Sequence, residues 1–223
     1  MFFLNNKKKM YVKFWTILYT GFLFYRPPIH TLSYSKCKNW LRQQDPPFLI
    51  YGNQTISVPT NCEHLVPKSI MKRNRADRRA QNDLHLLFLS NARLNSQRQH
   101  YRFDMLSDAN SVIHLDALGN TCSKQHAHCR KNTKRGIFEP PFERRGMIAR
   151  TAGYYYFTYD ILEQDVISYK TIMEWNKQYP VTEFERTRHE NIFQFQQNRN
   201  LFVDFPFFIR ILPIRALYRK HLM

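Results

Sequence analysis

Asn61-Cys62-Glu63-His64-Leu65-Val66-Pro67-Lys68-Ser69 is the stretch on which the fold turns. It sets a carboxylate beside an imidazole. Carboxylate oxygen is a hard ligand that suits magnesium. The neutral form of imidazole takes a proton from water at physiological pH. A Glu-His pair alone is more often surface decoration. Thr60 to Val66 has the composition of a short strand end. Neighbours in a regular strand point to opposite faces, so Glu63 and His64 must sit at a strand end or a bulge to serve one site.

About twenty residues on comes Asp83-Leu84-His85-Leu86-Leu87, then Asn91-Ala92-Arg93-Leu94-Asn95-Ser96-Gln97-Arg98. As a helix, the last stretch puts Asn91, Asn95 and Arg98 on one face. The face then carries an amide oxygen able to coordinate a hard cation and a guanidinium able to grip phosphate with two donors. The plainer reading is a polar stripe facing solvent. Asp83 and His85 are either partners that orient a metal site or a helix cap and a buried histidine.

Outward from these segments, the chain reads as one domain of 223 residues. Its 34 Lys and Arg against 17 Asp and Glu give a net charge of +17. Such an excess opposes compaction and fits a polyphosphate partner; an anionic membrane is the alternative. Lys7, Lys8, Lys9 and Lys13 precede an apolar run from Phe14 to Tyr25, which reads as a secretory signal over residues 1–27 or an uncleaved membrane anchor. Residues 28–223 then form the working domain, secreted or in a secretory lumen or periplasm. Asn53-Gln54-Thr55 is a glycosylation sequon. Four cysteines suit an oxidising compartment. Cys122–Cys129 and Cys37–Cys62 are the expected disulfides, preferred to a zinc site of Cys122, His126, His128 and Cys129.

Helices are expected over Ser35–Gln44, Gly146–Ile161, Asp165–Tyr179 and Thr182–Gln197, with Asp165 and Thr182 as caps. Phe48–Tyr51 reads as a strand, and Tyr101–Phe138 as a long irregular insertion. Arg144, Arg145 and Arg150 beside Gly146 suggest a phosphate track at a helix start.

Five segments in order carry a family resemblance: NCEHLVPKS, DLHLLFLSNARLNSQR, FEPPFERRGMIART, NKQYPV and QQNRNLFVDFP. Between Asn61 and Pro206 the chain resembles the endonuclease I family of bacterial periplasmic and secreted nucleases. The resemblance implies an α+β fold with a ββα-metal (His-Me finger) core and additional packed helices. It implies His64 as general base, with Glu63 and Asn95 holding one Mg2+, for which Mn2+ or Ca2+ can substitute. It implies cleavage of DNA, and often RNA, with little sequence preference, to 5′-phosphate and 3′-hydroxyl ends. Arg98 is the chosen transition-state stabiliser, ahead of Arg93 and Arg150. The NRN motif at Asn198–Asn200 reads as structural. Leu86 stands where the family often has a second polar residue, and Ser96-Gln97 where relatives often have Gly-Asp. No small-molecule cofactor is expected, and a monomer is. The rivals are a nucleic-acid-binding protein that has lost its chemistry and an interaction protein anchored by the N-terminal run.

Overall fold

The computed structural model describes residues 24–44, 48–52, 58–107 and 111–213. Most of the N-terminal apolar run, the sequon and the basic tail beyond residue 213 lie outside the described residues. Among the described residues, no helix is long and apolar enough to cross a membrane.

Thr60–His64 forms strand β1 and Leu87–Asn91 forms β2. They pair antiparallel, with Cys62 opposite Leu89, Glu63 opposite Phe88 and His64 opposite Leu87. Every residue of β2 is buried. Phe88 faces the main core, and Leu87 and Leu89 face a second, smaller one. The hairpin therefore separates two apolar cores, and a run that is apolar on both faces is what this position requires. Helix α1, Tyr34–Arg42, closes the second core with Cys37 and Leu41. Phe48–Tyr51 is not a full strand: Leu49 makes one parallel bridge to Leu89, and the Ile50 N–H donates to the Leu89 carbonyl at 2.8 Å.

Helix α2 spans Lys68–Arg73, and α3, Ala92–Arg98, starts where β2 stops. The Asn91 side-chain oxygen accepts from the N–H groups of Arg93 at 2.8 Å and Leu94 at 3.2 Å. That cap satisfies the orphan donors of a helix start. β1, β2 and α3 make a ββα unit.

Residues 101–138 are not an irregular insertion. They supply strands β3 (Arg102–Phe103), β4 (Ile113–Leu115), β5 (Cys129–Asn132) and most of β6 (Ile137–Glu139). The sheet order is β3-β6-β5-β4, with β3 parallel to β6 and the other pairs antiparallel. Strands this short show no alternation to read.

Helix α4, Arg145–Thr158, is buried nearly all round and brings three consecutive tyrosines, Tyr154 to Tyr156, into the main core. A Cβ on Gly146 would run into the Tyr179 carbonyl, so close packing requires this glycine. Helix α5, Tyr169–Gln178, is capped by Ser168 rather than Asp165, whose carboxylate instead pairs with Arg73 at 2.8 Å. Helix α6, Glu183–Gln196, has Thr182 as its cap, accepting from the Glu185 N–H at 3.2 Å. The Glu185 carboxylate turns away to Arg150 at 2.6 Å, which ties α6 to α4. A short helix α7, Leu201–Asp204, follows. The fold is α+β, with a hairpin-helix core and additional packed helices.

Candidate active site

Alternation along β1 sends Asn61 and Glu63 to one face and Cys62 and His64 to the other. Helix α3 reaches the first face one turn at a time. The Asn95 Nδ2 group donates to Asn61 Oδ1 at 2.8 Å. Three residues on, an Arg98 guanidinium nitrogen lies 3.1 Å from Glu63 Oε1. The same carboxylate oxygen accepts from the Tyr51 hydroxyl at 2.8 Å. Arg98 also donates to the Leu65 carbonyl at 2.7 Å and the His64 carbonyl at 3.4 Å, and its guanidinium lies over the Phe103 ring. Glu63 and Arg98 are buried, and Asn95 is half-buried. Burial pushes the Glu63 carboxyl above its ordinary range, against the pull of Arg98 and of Tyr51.

His64 is the last residue of β1, a strand end, but its side chain and that of Glu63 are not brought to one face as the sequence reading expected. Its ring turns to the opposite face from Glu63. Nε2 lies 2.9 Å from the Gln81 carbonyl oxygen. A carbonyl only accepts, so Nε2 carries the proton and Nδ1 is the basic nitrogen of the neutral ring. Burial, then the charge of Lys68, lowers its pKa to about 4, with the Gln81 carbonyl pulling the other way. The imidazole is therefore neutral at physiological pH.

Residues 42–207 match the model of the family described as Endonuclease I. This chain belongs to the endonuclease I family. A relative named Endonuclease-1, from Buchnera aphidicola subsp. Acyrthosiphon pisum (strain APS), is 33% identical over 125 residues. That match covers 55% of this chain and 44% of the relative, so the chain aligns with less than half of the relative's length.

In this endonuclease I member the structure brings Glu63, Asn95 and Arg98 to one side of the hairpin and leaves the His64 ring on the other. Asn91 does not share the face, because its side chain is used as the α3 cap. Arg98 is 1% exposed, and its donors point at Glu63 and at backbone carbonyls, so it does not present a free fork to phosphate. Its runners-up divide: Arg150 is buried against Glu185, and Arg93 is exposed and bonded to Asn120. The three-arginine phosphate track is not formed either. Arg145 pairs with Glu139 at 2.6 Å, and Arg144 lies over the Phe48 ring.

Asp83 and His85 form a buried hub. The Asp83 carboxylate accepts from the hydroxyls of Tyr154 at 2.5 Å and Tyr159 at 2.8 Å, and from Gln196 Nε2 at 2.9 Å. The His85 Nε2 atom lies 3.2 Å from the carbonyl of Asn198 in the NRN motif. Burial raises Asp83 and lowers His85, and the bonds to Tyr154 and Gln196 fasten α4 and α6 to the segment that leads into β2.

The expected disulfides are absent: all four cysteines are free. Thr121-Cys122 flanks one side of β4 and Cys129 the other, with the Cys122 N–H on His114 and Cys129 paired with Leu115. Two strand spacings, roughly 9–10 Å, exceed disulfide reach. Cys37 instead donates to the Asn82 carbonyl at 3.5 Å. Nor do Cys122, His126, His128 and Cys129 gather as metal ligands. Among the described residues the group that gathers is His189, Glu190 and Asp204. Arg199 already bridges those two carboxylates.

The sequence reading missed Asn61, Tyr51 and Gln81. Asn61 was open to discovery, since it is two residues from Glu63 on the same face. Tyr51 and Gln81 reach the site through non-local packing that leaves no spacing to read.

Proposed function

We propose that this chain is a divalent-metal-dependent endonuclease that hydrolyses the phosphodiester backbone of DNA, and of RNA as a second substrate, with little sequence preference. The supporting observation is the α3–β1 clasp: Asn95 on Asn61 and Arg98 on Glu63, with a neutral His64 at the end of the same strand. The donor set fits Mg2+ or a close substitute. Asn95 uses Nδ2 on Asn61, which leaves Oδ1 as its cation-facing atom, and Glu63 contributes carboxylate oxygen on the same face of β1. A divalent ion there supplies positive charge that stabilises the five-coordinate phosphate.

The chain's own residues do the rest. β1 is the outer strand of its sheet, because β2 has the Leu49 bridge on its other side. A backbone phosphate crossing the end of β1 lies between the Glu63–Asn95 face and the His64 ring. Nδ1 of His64 accepts a proton from water as the water oxygen attacks phosphorus and the bond to the 3′ oxygen breaks. The leaving 3′ oxygen takes a proton from solvent water, and the products are a 5′-phosphate and a 3′-hydroxyl. Arg98 acts indirectly: it holds Glu63 and the carbonyls of residues 64 and 65 in place. The net charge of +17 concentrates the polyanion.

Secretion, or export to a lumen or periplasm, remains our reading of the basic-then-apolar N-terminus. Four free thiols remove the disulfide argument for it.

A supercoiled-plasmid assay tests the function. The wild type nicks in Mg2+ and is silent in chelator, and His64→Ala loses at least about a hundredfold of the rate while still binding DNA. A wild type that binds DNA and never cuts it, whatever divalent ion is added, makes the chain a nucleic-acid-binding protein instead.

A further inference from the structure

Tyr34 is the first residue of α1 and lies outside the segment 42–207 that matches the family. Its ring nevertheless lies against the ring of His64. The centroids are 5.7 Å apart and the planes 15° from parallel. The Lys68 ammonium group sits 4.6 Å from the centre of the Tyr34 ring, so α2 contributes to the same cluster. The backbone under Tyr34 is fixed, because Cys37 and Leu41 on α1 are buried with Leu49, Cys62, Leu87 and Leu89 in the second core.

His64 needs such a neighbour. One hydrogen bond from Nε2 to the Gln81 carbonyl fixes the tautomer and one point of the ring. It leaves the ring free to tilt about that point. A flat ring packed parallel to the imidazole restrains that tilt, because offset-stacked aromatic rings attract one another. Orientation matters because misplacing a reacting group by about 1 Å costs on the order of a hundredfold in rate.

We propose that Tyr34 is a positioning residue for the general base, an accessory supplied by the N-terminal helix that fixes the plane of His64 and so aims Nδ1. This rests on His64 being the base. Tyr34 meets His64 with its ring face, while its hydroxyl pairs with the Cys62 thiol; the role assigned to Tyr34 rests on the aromatic plane and not on that hydroxyl bond.

The full-length chain carrying Tyr34→Phe, Tyr34→Leu or Tyr34→Ala tests this, with kcat and KM measured on a fluorogenic DNA at saturating Mg2+. Tyr34→Phe keeps kcat within about twofold of wild type. Tyr34→Ala lowers kcat by about tenfold or more while KM moves less than about threefold, the pattern of a group that acts only on the chemical step. Tyr34→Leu fills similar apolar volume without a plane. It shows the same kcat loss, which separates positioning from mere filling should Tyr34→Ala fold poorly. Unchanged kcat in Tyr34→Leu overturns the proposal. So does a rise in KM at constant kcat, which makes Tyr34 a substrate contact. A Tyr34→Phe variant as slow as Tyr34→Ala also overturns it, by assigning the role to the hydroxyl. NMR of the His64 ring protons is read without turnover: the upfield ring-current shift survives in Tyr34→Phe and disappears in Tyr34→Leu. If the wild type cuts nothing, the functional reading fails. If the shift is absent in the wild type, the positioning role fails on its own.

Discussion

One hydrogen bond, to the Gln81 carbonyl, sets the tautomer of His64, and the surroundings of the ring decide its charge. A free imidazole titrates near pH 6.5, and from sequence alone activity is expected to fall below about pH 6. Burial and Lys68 move the ring to about 4. The rate should therefore stay nearly flat from pH 7 to about pH 5, and drop about tenfold per unit below about pH 4. A kcat profile with its acid limb near 6.5 would refute the burial argument. The sign for stability follows from the same shift. The fold prefers the neutral ring, whereas the unfolded chain protonates near the ordinary value. The contribution is complete above pH 6.5 and is lost progressively as the pH falls from there toward 4. Arg98 raises a different question, because its partner is a buried carboxylate. Arg98→Ala leaves Glu63 buried with one fewer counter-group and should destabilise by about 3–5 kcal/mol in urea unfolding. Adding Glu63→Gln to that variant should restore part of the loss, since no uncompensated charge is left inside. Strict additivity of the two substitutions would show that the pair is not coupled.

The element that brings these side chains together is the hairpin followed at once by α3. Part of it was legible. Asn61 to His64 reads as a strand end, and Asn91 to Arg98 reads as a helix, because each pattern is local. β2 was not legible. Leu-Leu-Phe-Leu-Ser-Asn from residue 86 is a short apolar run with no period, and buried strand and buried helix look alike in such a run. The cap at Asn91 was read as one of a row of site residues, because a residue four before Asn95 lies on its helix face only if the helix has already begun. The four-stranded sheet escaped for another reason: its strands are two to four residues long and, apart from the β5–β6 hairpin, its pairings are non-local. The disulfides were read from an even cysteine count, and β4 lying between Cys122 and Cys129 cannot be seen in a count. The cap itself is testable. Asn91→Ala should cost about 1 kcal/mol in thermal unfolding, while Asn91→Asp should cost less, because it keeps the acceptor for the Arg93 and Leu94 N–H groups. Equal losses would assign the stabilisation to the bond from Asn91 Nδ2 to the Ala117 carbonyl, which both variants remove.

For the whole molecule, the boundary expected after residue 27 runs through packed structure. The Phe24 carbonyl accepts from the Arg199 N–H at 2.8 Å, and the Tyr25 hydroxyl donates to Asp204 at 3.1 Å. The Arg26 carbonyl accepts from Asn198 at 3.2 Å, and the Pro28 carbonyl from Arg79 at 3.3 Å. The Phe24 ring meets Phe193 edge to face. Residues 24–28 thus lace the NRN motif and α6, and the same Asn198 donates to Tyr154, which bonds Asp83 in the hub. The hub in turn supports the segment that carries Gln81 and β2. A targeting segment that ends inside this lacing would take one hydrogen bond from Asn198 and, if it removed Tyr25, one from Asp204. If the N-terminal run is removed, we expect the cut before Phe24. Mass spectrometry of protein recovered from an exporting host should find a mature chain that retains Phe24 to Pro28. A chain started at Ile29 should melt several degrees lower than one started at Phe24, because the loss of these four hydrogen bonds, each about 1 kcal/mol or less, falls on a single connected network. Equal melting temperatures would mean that the lacing is passive and that the boundary at residue 27 stands.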